Sequence, residues 1–194
     1  MFKMKNKILG IAIFAISLAA CNSSSDKTNE TKINDSTQAN THPKSESVKE
    51  PASINGVISG YLQLKNALVN DNGTDAANAG KTIMDALEKI DTTSFSAEQK
   101  KIFKDVADDI KENAEHCSVN GNKIEHQREH FEMLSQDMYD LVKAFAGTQI
   151  LYRDFCPMYN NGKGGMWISE IKEIKNPYLG KKMPTCGEVK EEIK

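Results

Sequence analysis

The sequence predicts an all-α fold, an antiparallel four-helix bundle followed by an irregular C-terminal tail with two segments that suit short β-strands. Three observations support this. Apolar residues recur at three- and four-residue spacing in four successive segments after residue 53. Short polar interruptions separate these segments, and short connections favour antiparallel neighbours. After Gly147 the helical spacing stops, and Gly, Asn and Pro become frequent.

The first two helices are expected on either side of the turn sequence Asn70-Asp71-Asn72-Gly73. The apolar stripe of the first runs from Ile54 to Leu68. The second has its stripe between Ala76 and Ile90, and Asp75 is its expected N-cap.

The next two helices are longer. Ser96 and Gln99 have the spacing of a capping box, with Ser96 at the N-cap and Gln99 at N3 of the third helix. Asn122 is the expected cap of the fourth helix, whose buried side is centred near Phe131 and Leu134. In the tail, Ile150-Leu151-Tyr152 and Met166-Trp167-Ile168 are the candidate strands, and Trp167 and Tyr178 are expected to be core residues.

The first twenty residues are organised like an export signal, with a basic start, the thirteen-residue apolar run Ile8–Ala20 and small residues before Cys21. Leu18-Ala19-Ala20-Cys21 resembles the lipobox of bacterial lipoproteins, in which Cys21 is lipidated and anchors the chain in a lipid membrane. An ordinary cleaved signal that precedes a Cys by chance is the alternative. The expected location is the cell envelope, lipid-anchored, on the periplasmic or outer-membrane face.

Residues 21–52 are rich in Ser, Thr, Asn, Lys and Glu and contain no aromatic side chain, so they bury too little surface to fold. The predicted organisation is a signal peptide over 1–20, a lipidated Cys and disordered tether over 21–52, and a helical domain over 53–194, whose sulfur and histidine residues point to metal handling as described below.

Composition and missing motifs exclude several function classes. The formal net charge of −2 leaves no basic surplus for a phosphate backbone, so no nucleic acid is expected as a partner. No segment reaches the roughly 20 apolar residues of a membrane span. Nucleophile elbows, phosphate loops, dinucleotide-binding motifs and haem attachment motifs are absent from the sequence, and no enzymatic activity is expected.

Two thiols and two thioethers occur in mirrored spacing in the tail, as Cys156-Pro157-Met158 and Met183-Pro184-Thr185-Cys186. These soft ligands select Cu(I) most strongly among biological metals. The alternative is a Cys156–Cys186 disulfide, which would stabilise an exported protein by about 3.5 kcal/mol. The residue types alone leave both open. Cys117 continues the buried stripe of the third helix and is expected to be a core thiol.

Three of the four histidines, His116, His126 and His130, fall within fifteen residues. His126 and His130 are four residues apart on one flank of the fourth helix, where two imidazoles can share a metal. The alternative is that they are exposed polar residues beside the core. His116 is expected near the end of the third helix, where a cation also favours the helix dipole.

An ordered string of short motifs resembles a domain of unknown function found in lipoproteins and exported proteins. The same domain is fused behind periplasmic adaptor subunits of CusB-type copper and heavy-metal efflux pumps. The resemblance covers about Ile54 to Val189. The string consists of Glu125-His126-Gln127-Arg128-Glu129-His130-Phe131, Cys156-Pro157-Met158, Gly164-Gly165-Met166-Trp167-Ile168-Ser169, Asn176-Pro177-Tyr178-Leu179-Gly180 and Met183…Cys186-Gly187.

This resemblance implies a helical domain associated with metal handling, without established catalytic residues. The sulfur positions of the family match Cys156, Met158, Met183 and Cys186, and its histidine motif matches His126 and His130. We therefore expect a membrane-tethered envelope protein that binds Cu(I), or another soft heavy-metal ion, and buffers it or passes it to an efflux adaptor or pump. The alternative is a protein-interaction module without a metal, its tail held by a structural Cys156–Cys186 disulfide.

Overall fold

The computed structural model describes residues 53–145 and 149–194, so the predicted signal peptide, Cys21 and the tether lie outside the described residues. Four long helices come first: α1 Asn55–Val69, α2 Gly73–Leu87, α3 Ala97–Val119 and α4 Ile124–Ala144. Three strands follow: β1 Leu151–Cys156, β2 Gly165–Ser169 and β3 Glu188–Ile193. Shorter turns of helix cover Thr92–Ser94, Tyr159–Gly162 and Gly180–Lys182.

The start of α3 is the predicted capping box. The Ser96 hydroxyl accepts a hydrogen bond from the Gln99 backbone N–H at 3.1 Å, and the Gln99 side chain accepts one from the Ser96 N–H at 3.0 Å. Two backbone donors that the helix leaves unpaired are thereby satisfied, so this prediction is confirmed.

The predicted caps of α2 and α4 were wrong. Asn72 caps α2, because its side-chain oxygen reaches the Asp75 N–H at 3.0 Å, and Asp75 lies in the first helical turn. Lys123 occupies the N-cap of α4 without a side-chain hydrogen bond, and Asn122 lies one residue earlier. Contacts across the α3–α4 turn, rather than a cap, hold this helix start.

The helices share one core. Each helix contacts the next along the chain, and the Tyr61 and Phe131 rings stack with centroids 5.2 Å apart. Trp167 and Tyr178 are buried as predicted. The prediction of a helical bundle agrees with this arrangement, whose largest fully buried apolar side chains are Tyr61, Leu64, Leu68, Ile83, Ile110, Phe131, Leu134, Met138, Leu141 and Trp167.

The tail is a three-stranded antiparallel sheet in the order β2-β1-β3, so the all-α prediction was too narrow. The two predicted strands are confirmed as parts of β1 and β2. The third strand, β3, was not predicted, since four of its six residues are charged. It is an edge strand in which the partly or fully buried side chains of Val189, Glu191 and Ile193 alternate with exposed ones. Charged side chains are common on strands at the edge of a sheet.

Buried hydrogen bonds attach the sheet to α1 and α4. The Ile168 backbone N–H donates to the Tyr61 hydroxyl at 3.0 Å, and that hydroxyl lies 2.7 Å from the Ser135 hydroxyl. Lys65, fully buried on α1, places its ammonium 2.6 Å from a carboxylate oxygen of Glu170, just after β2. The sheet is therefore tied to the helices by polar contacts as well as apolar packing.

Arg128 of α4 ties down the segment between β2 and β3. Its guanidinium donates to the Pro177 carbonyl at 2.9 Å and to the Asp71 carboxylate at 2.5 Å. The Asn176 side chain accepts from the N–H groups of Tyr178 and Leu179. These hydrogen bonds give the Asn-Pro-Tyr-Leu-Gly motif a structural role, since they hold residues 176–180 in place against α4.

In the part of the chain that the structure describes, no helix combines the length and the apolar character that crossing a membrane would need.

Candidate metal centre

Three imidazoles meet where α3 ends and α4 begins. His116 lies in the last turn of α3, and His126 and His130 lie in the first two turns of α4. One potential ligand nitrogen from each ring lies within 4.8 Å of the other two. The His116 and His130 rings stack with centroids 4.1 Å apart, and the His126 ring stands edge-on to His130 at 4.6 Å. All three are half-buried, so an ion in solvent can reach them.

Contacts that do not involve the imidazole rings hold this corner of the fold. The Gln127 side chain, fully buried, donates to the carbonyls of Cys117 and Gly73 at 2.9 Å each. The Cys117 thiol donates to the Gln127 carbonyl at 3.5 Å, and the Asn120 side chain donates to the His116 carbonyl at 2.9 Å. The end of α3 and the start of α4 are therefore fixed relative to each other before any ion binds.

Neighbouring acceptors orient two of the rings. Nδ1 of His130 lies 3.0 Å from the Asn113 side-chain oxygen, whose amide nitrogen donates to the Asp109 carbonyl. Nδ1 of His126 lies 3.1 Å from the Glu129 carboxylate. Both neighbours are acceptors, so they favour the tautomer with the proton on Nδ1, in which the lone pair of the ring is on Nε2.

The electrostatics favour a neutral ring at His130. Burial lowers the pKa of His130, and the adjacent His116 and His126 lower it further, since a charge on one ring opposes charge on the others. Glu129 and Glu112 act in the opposite direction without reversing the shift. A neutral imidazole is the form that binds a metal, so this ring is ready for coordination at neutral pH.

The trio suits a transition-metal ion. Imidazole nitrogens bind Zn²⁺ at 2.0–2.1 Å, so three of them around a tetrahedral ion lie about 3.4 Å apart. The lone pair of an imidazole nitrogen lies in the plane of its ring, so coordination requires His116 and His130 to turn out of their parallel stack until the three nitrogens reach that spacing. Such a set leaves a fourth position open, and imidazole ligands suit copper, zinc, nickel and iron.

The two predicted cysteine ligands also lie together. The sulfurs of Cys156 and Cys186 are 3.0 Å apart. Cys156, at the end of β1, is fully buried, whereas Cys186, shortly before β3, is partly exposed. The thioether side chains of Met158 and Met183 are 57% and 39% exposed, which leaves both accessible to solvent.

The predicted ligands are thus divided between two places. His130 faces α3 through Asn113, whereas the opposite flank of α4, through Arg128 and Tyr139, contacts the tail at Pro177 and Glu191. The geometry offers an imidazole group at the α3–α4 corner and a second group of two sulfurs between the end of β1 and the segment before β3.

Sequence reasoning omitted His116 from the ligand set. The clustering of three histidines was visible, but only the fold-back of α4 onto α3 places His116 against His130. Asn113, which orients His130, had no signal in the sequence. Cys117 is the predicted core thiol, fully buried, and burial raises its pKa to about 12.

Comparisons with known proteins add a family match. Searches of curated proteins and of solved structures found no match to the chain. The predicted resemblance to a domain of unknown function is confirmed for the helical part of the chain, and the resemblance of the tail motifs and the lipoprotein and efflux-adaptor context stay predictions. Residues 57–149, which include the three histidines and end before the cysteine pair, match a family model described as "Protein of unknown function (DUF3347)".

Proposed function

We propose that this protein is a metal-binding module of the cell envelope, which holds a copper ion, as Cu(I), or a similar ion at His116, His126 and His130. The observation that supports this best is the convergence of three imidazole nitrogens within 4.8 Å at a solvent-accessible corner. The module buffers the ion or passes it to an efflux adaptor or pump, and neither role requires a catalysed reaction.

The surroundings of the trio favour reversible binding over a structural role. The corner is held by Gln127, Cys117 and Asn120 through bonds that need no metal. A metal that the fold does not need for its own stability can leave without unfolding the protein. The open fourth position would let an incoming ligand bind before the first ligands dissociate, which suits transfer between proteins.

Copper is the preferred ion for two reasons. Imidazole nitrogen is among the ligands that suit copper in proteins. In addition, the motif string resembles domains fused to copper and heavy-metal efflux adaptors.

Membrane attachment is the second part of the proposal. Lipidation of Cys21 would anchor the chain in a lipid membrane, and residues 21–52 would hold the helical domain away from the headgroups. The resemblance supports a partnership with an efflux adaptor, and nucleic acid is not proposed as a partner.

The test is competition for Cu(I) against a chromophoric chelator, under reductant and argon, with the purified protein. We expect one bound equivalent in the native protein, and more than about 100-fold weaker binding in His116→Ala and in His126→Ala/His130→Ala. His42→Ala is the matched control, because it removes the one histidine outside the trio. A Cys156→Ser/Cys186→Ser variant measures any contribution of the sulfurs. Undiminished binding by both trio variants would refute the proposed site.

A further inference from the structure

We infer that Cys156 and Cys186 form a structural disulfide, which closes on exchange with an external disulfide and clamps the end of β1 to the segment that precedes β3. This inference does not depend on metal binding at the histidines. It also decides between the two roles that the sequence left open for these sulfurs.

The sulfurs are close enough to bond without any third partner. Two thiolates that bind one Zn²⁺ at about 2.3 Å lie roughly 3.8 Å apart in tetrahedral geometry. The Cys156 and Cys186 sulfurs are already closer, at 3.0 Å. Formation of a disulfide needs a further approach of about 1 Å, within the range of small side-chain rotations, and a shared metal needs a separation of about 0.8 Å together with further ligands.

The backbone on both sides fixes this approach. Cys156 is paired with Gly165 across β1 and β2. The carbonyl of Cys186 accepts a hydrogen bond from the Asn176 side chain at 2.6 Å. Gly187, with φ of 142°, has no room for a Cβ, which would meet the Trp167 ring at 2.9 Å and the Phe155 carbonyl at 3.0 Å. The close passage of the two chain segments is therefore part of the fold.

The two sulfurs differ in exposure, which determines where oxidation can begin. Only Cys186 is partly exposed, so an external disulfide can react there while Cys156 stays covered.

The chemistry is a two-electron oxidation of the dithiol. A Cys186 thiolate attacks an external disulfide RSSR, forms a mixed disulfide and releases one RSH. The Cys156 sulfur, after loss of its proton, then attacks the Cys186 sulfur and displaces the second R group, which leaves as RSH. The sum is two protein thiols and one RSSR converted into one protein disulfide and two RSH.

The experiment uses purified reduced protein, incubated with oxidised glutathione and then alkylated in denaturant before peptide mapping by mass spectrometry. We expect a linked pair of peptides that contain Cys156 and Cys186, and an alkylated peptide that contains Cys117. Thermal unfolding should begin about 10 °C lower when reductant is added. The same reductant should leave Cys156→Ser/Cys186→Ser unchanged, and Cys117→Ser should still form the link.

Mapping of the native protein requires no variant to fold, so it is the deciding measurement. Alkylation of both Cys156 and Cys186 after oxidation would overturn the inference. A Cu(I) site at the two sulfurs would also overturn it. In that case the native protein would bind one equivalent of Cu(I), the double serine variant would bind none, and the bound Cu(I) would block the oxidation completely.

Discussion

His116 and His130 stack face to face across the α3–α4 hairpin, with ring centroids 4.1 Å apart and ring planes within 5° of parallel. Two imidazolium ions in this position would repel each other, and His126 stands close to both rings. The arrangement therefore favours neutral rings, which is also the protonation state that a metal requires. This link between proton and metal binding leads to the first prediction.

Metal affinity should fall as the pH is lowered through the histidine range. Each imidazole must be unprotonated to coordinate, so affinity should decrease by about tenfold per pH unit for each ring that has become protonated. The lowered pKa of His130 means that this ring stays available to a lower pH than a free histidine does. Chelator competition at pH 7.5, 6.5 and 5.5 measures the effect; affinity that does not change with pH would rule out imidazole ligands.

Asn113→Ala should weaken metal binding by 10- to 100-fold, the usual effect of removing a group that orients a metal-binding histidine. The substitution removes the acceptor 3.0 Å from Nδ1 of His130, so this ring loses its fixed orientation. Asn78→Ala on the exposed face of α2 is the matched control. Competition titrations compare the two variants, and circular dichroism checks that both stay helical. Equal affinities would show that Asn113 does not orient the site.

Gly180→Ala should lower the free energy of unfolding by about 3 kcal/mol, through backbone strain and crowding together. Gly180 has φ of 51°, and a Cβ there would overlap the Asp71 carboxylate and the Arg128 guanidinium. Gly162→Ala is the control, because its φ of 84° is equally left-handed but its Cβ would meet no atom within 4 Å. The free energy of unfolding of the Gly162→Ala variant should fall by only about 1 kcal/mol. Urea denaturation measures both, and equal losses would show that crowding at Gly180 contributes nothing.

Asp154→Asn should make stability less dependent on pH. Burial raises the pKa of Asp154 to about 7, against the partial opposing effect of Lys65. The folded protein holds this proton more tightly than the unfolded chain, whose Asp has a pKa near 3.8. The stabilisation that this bound proton gives the folded protein is therefore complete below about pH 4 and is lost as the pH rises toward 7. Asn mimics the neutral acid.

Urea denaturation at pH 5 and pH 8 compares Asp154→Asn with the native protein. The variant should gain stability relative to the native protein at pH 8 and show a smaller change between the two pH values. Asp105→Asn, at an exposed pair with Lys101, is the control and should leave the pH dependence unchanged. The prediction fails if native and variant proteins respond equally to pH.

Local patterns in the sequence were sufficient for the helices. The capping box of Ser96 and Gln99 and the buried stripe through Phe131 and Leu134 depend only on residues within a few positions of each other. The same reasoning failed at α4, where Lys123 takes the N-cap, because Gln127 and Cys117 hold that helix start from a distance.

The sequence by itself determined the four helices, two of the three strands and the residue types able to bind a metal or form a disulfide. Only the tertiary structure decided which of these residues meet. β3 is a strand because β1 offers it an edge, which its own charged residues do not reveal. His116 joins His126 and His130, and Cys156 joins Cys186, because contacts between distant segments depend on how the chain folds back.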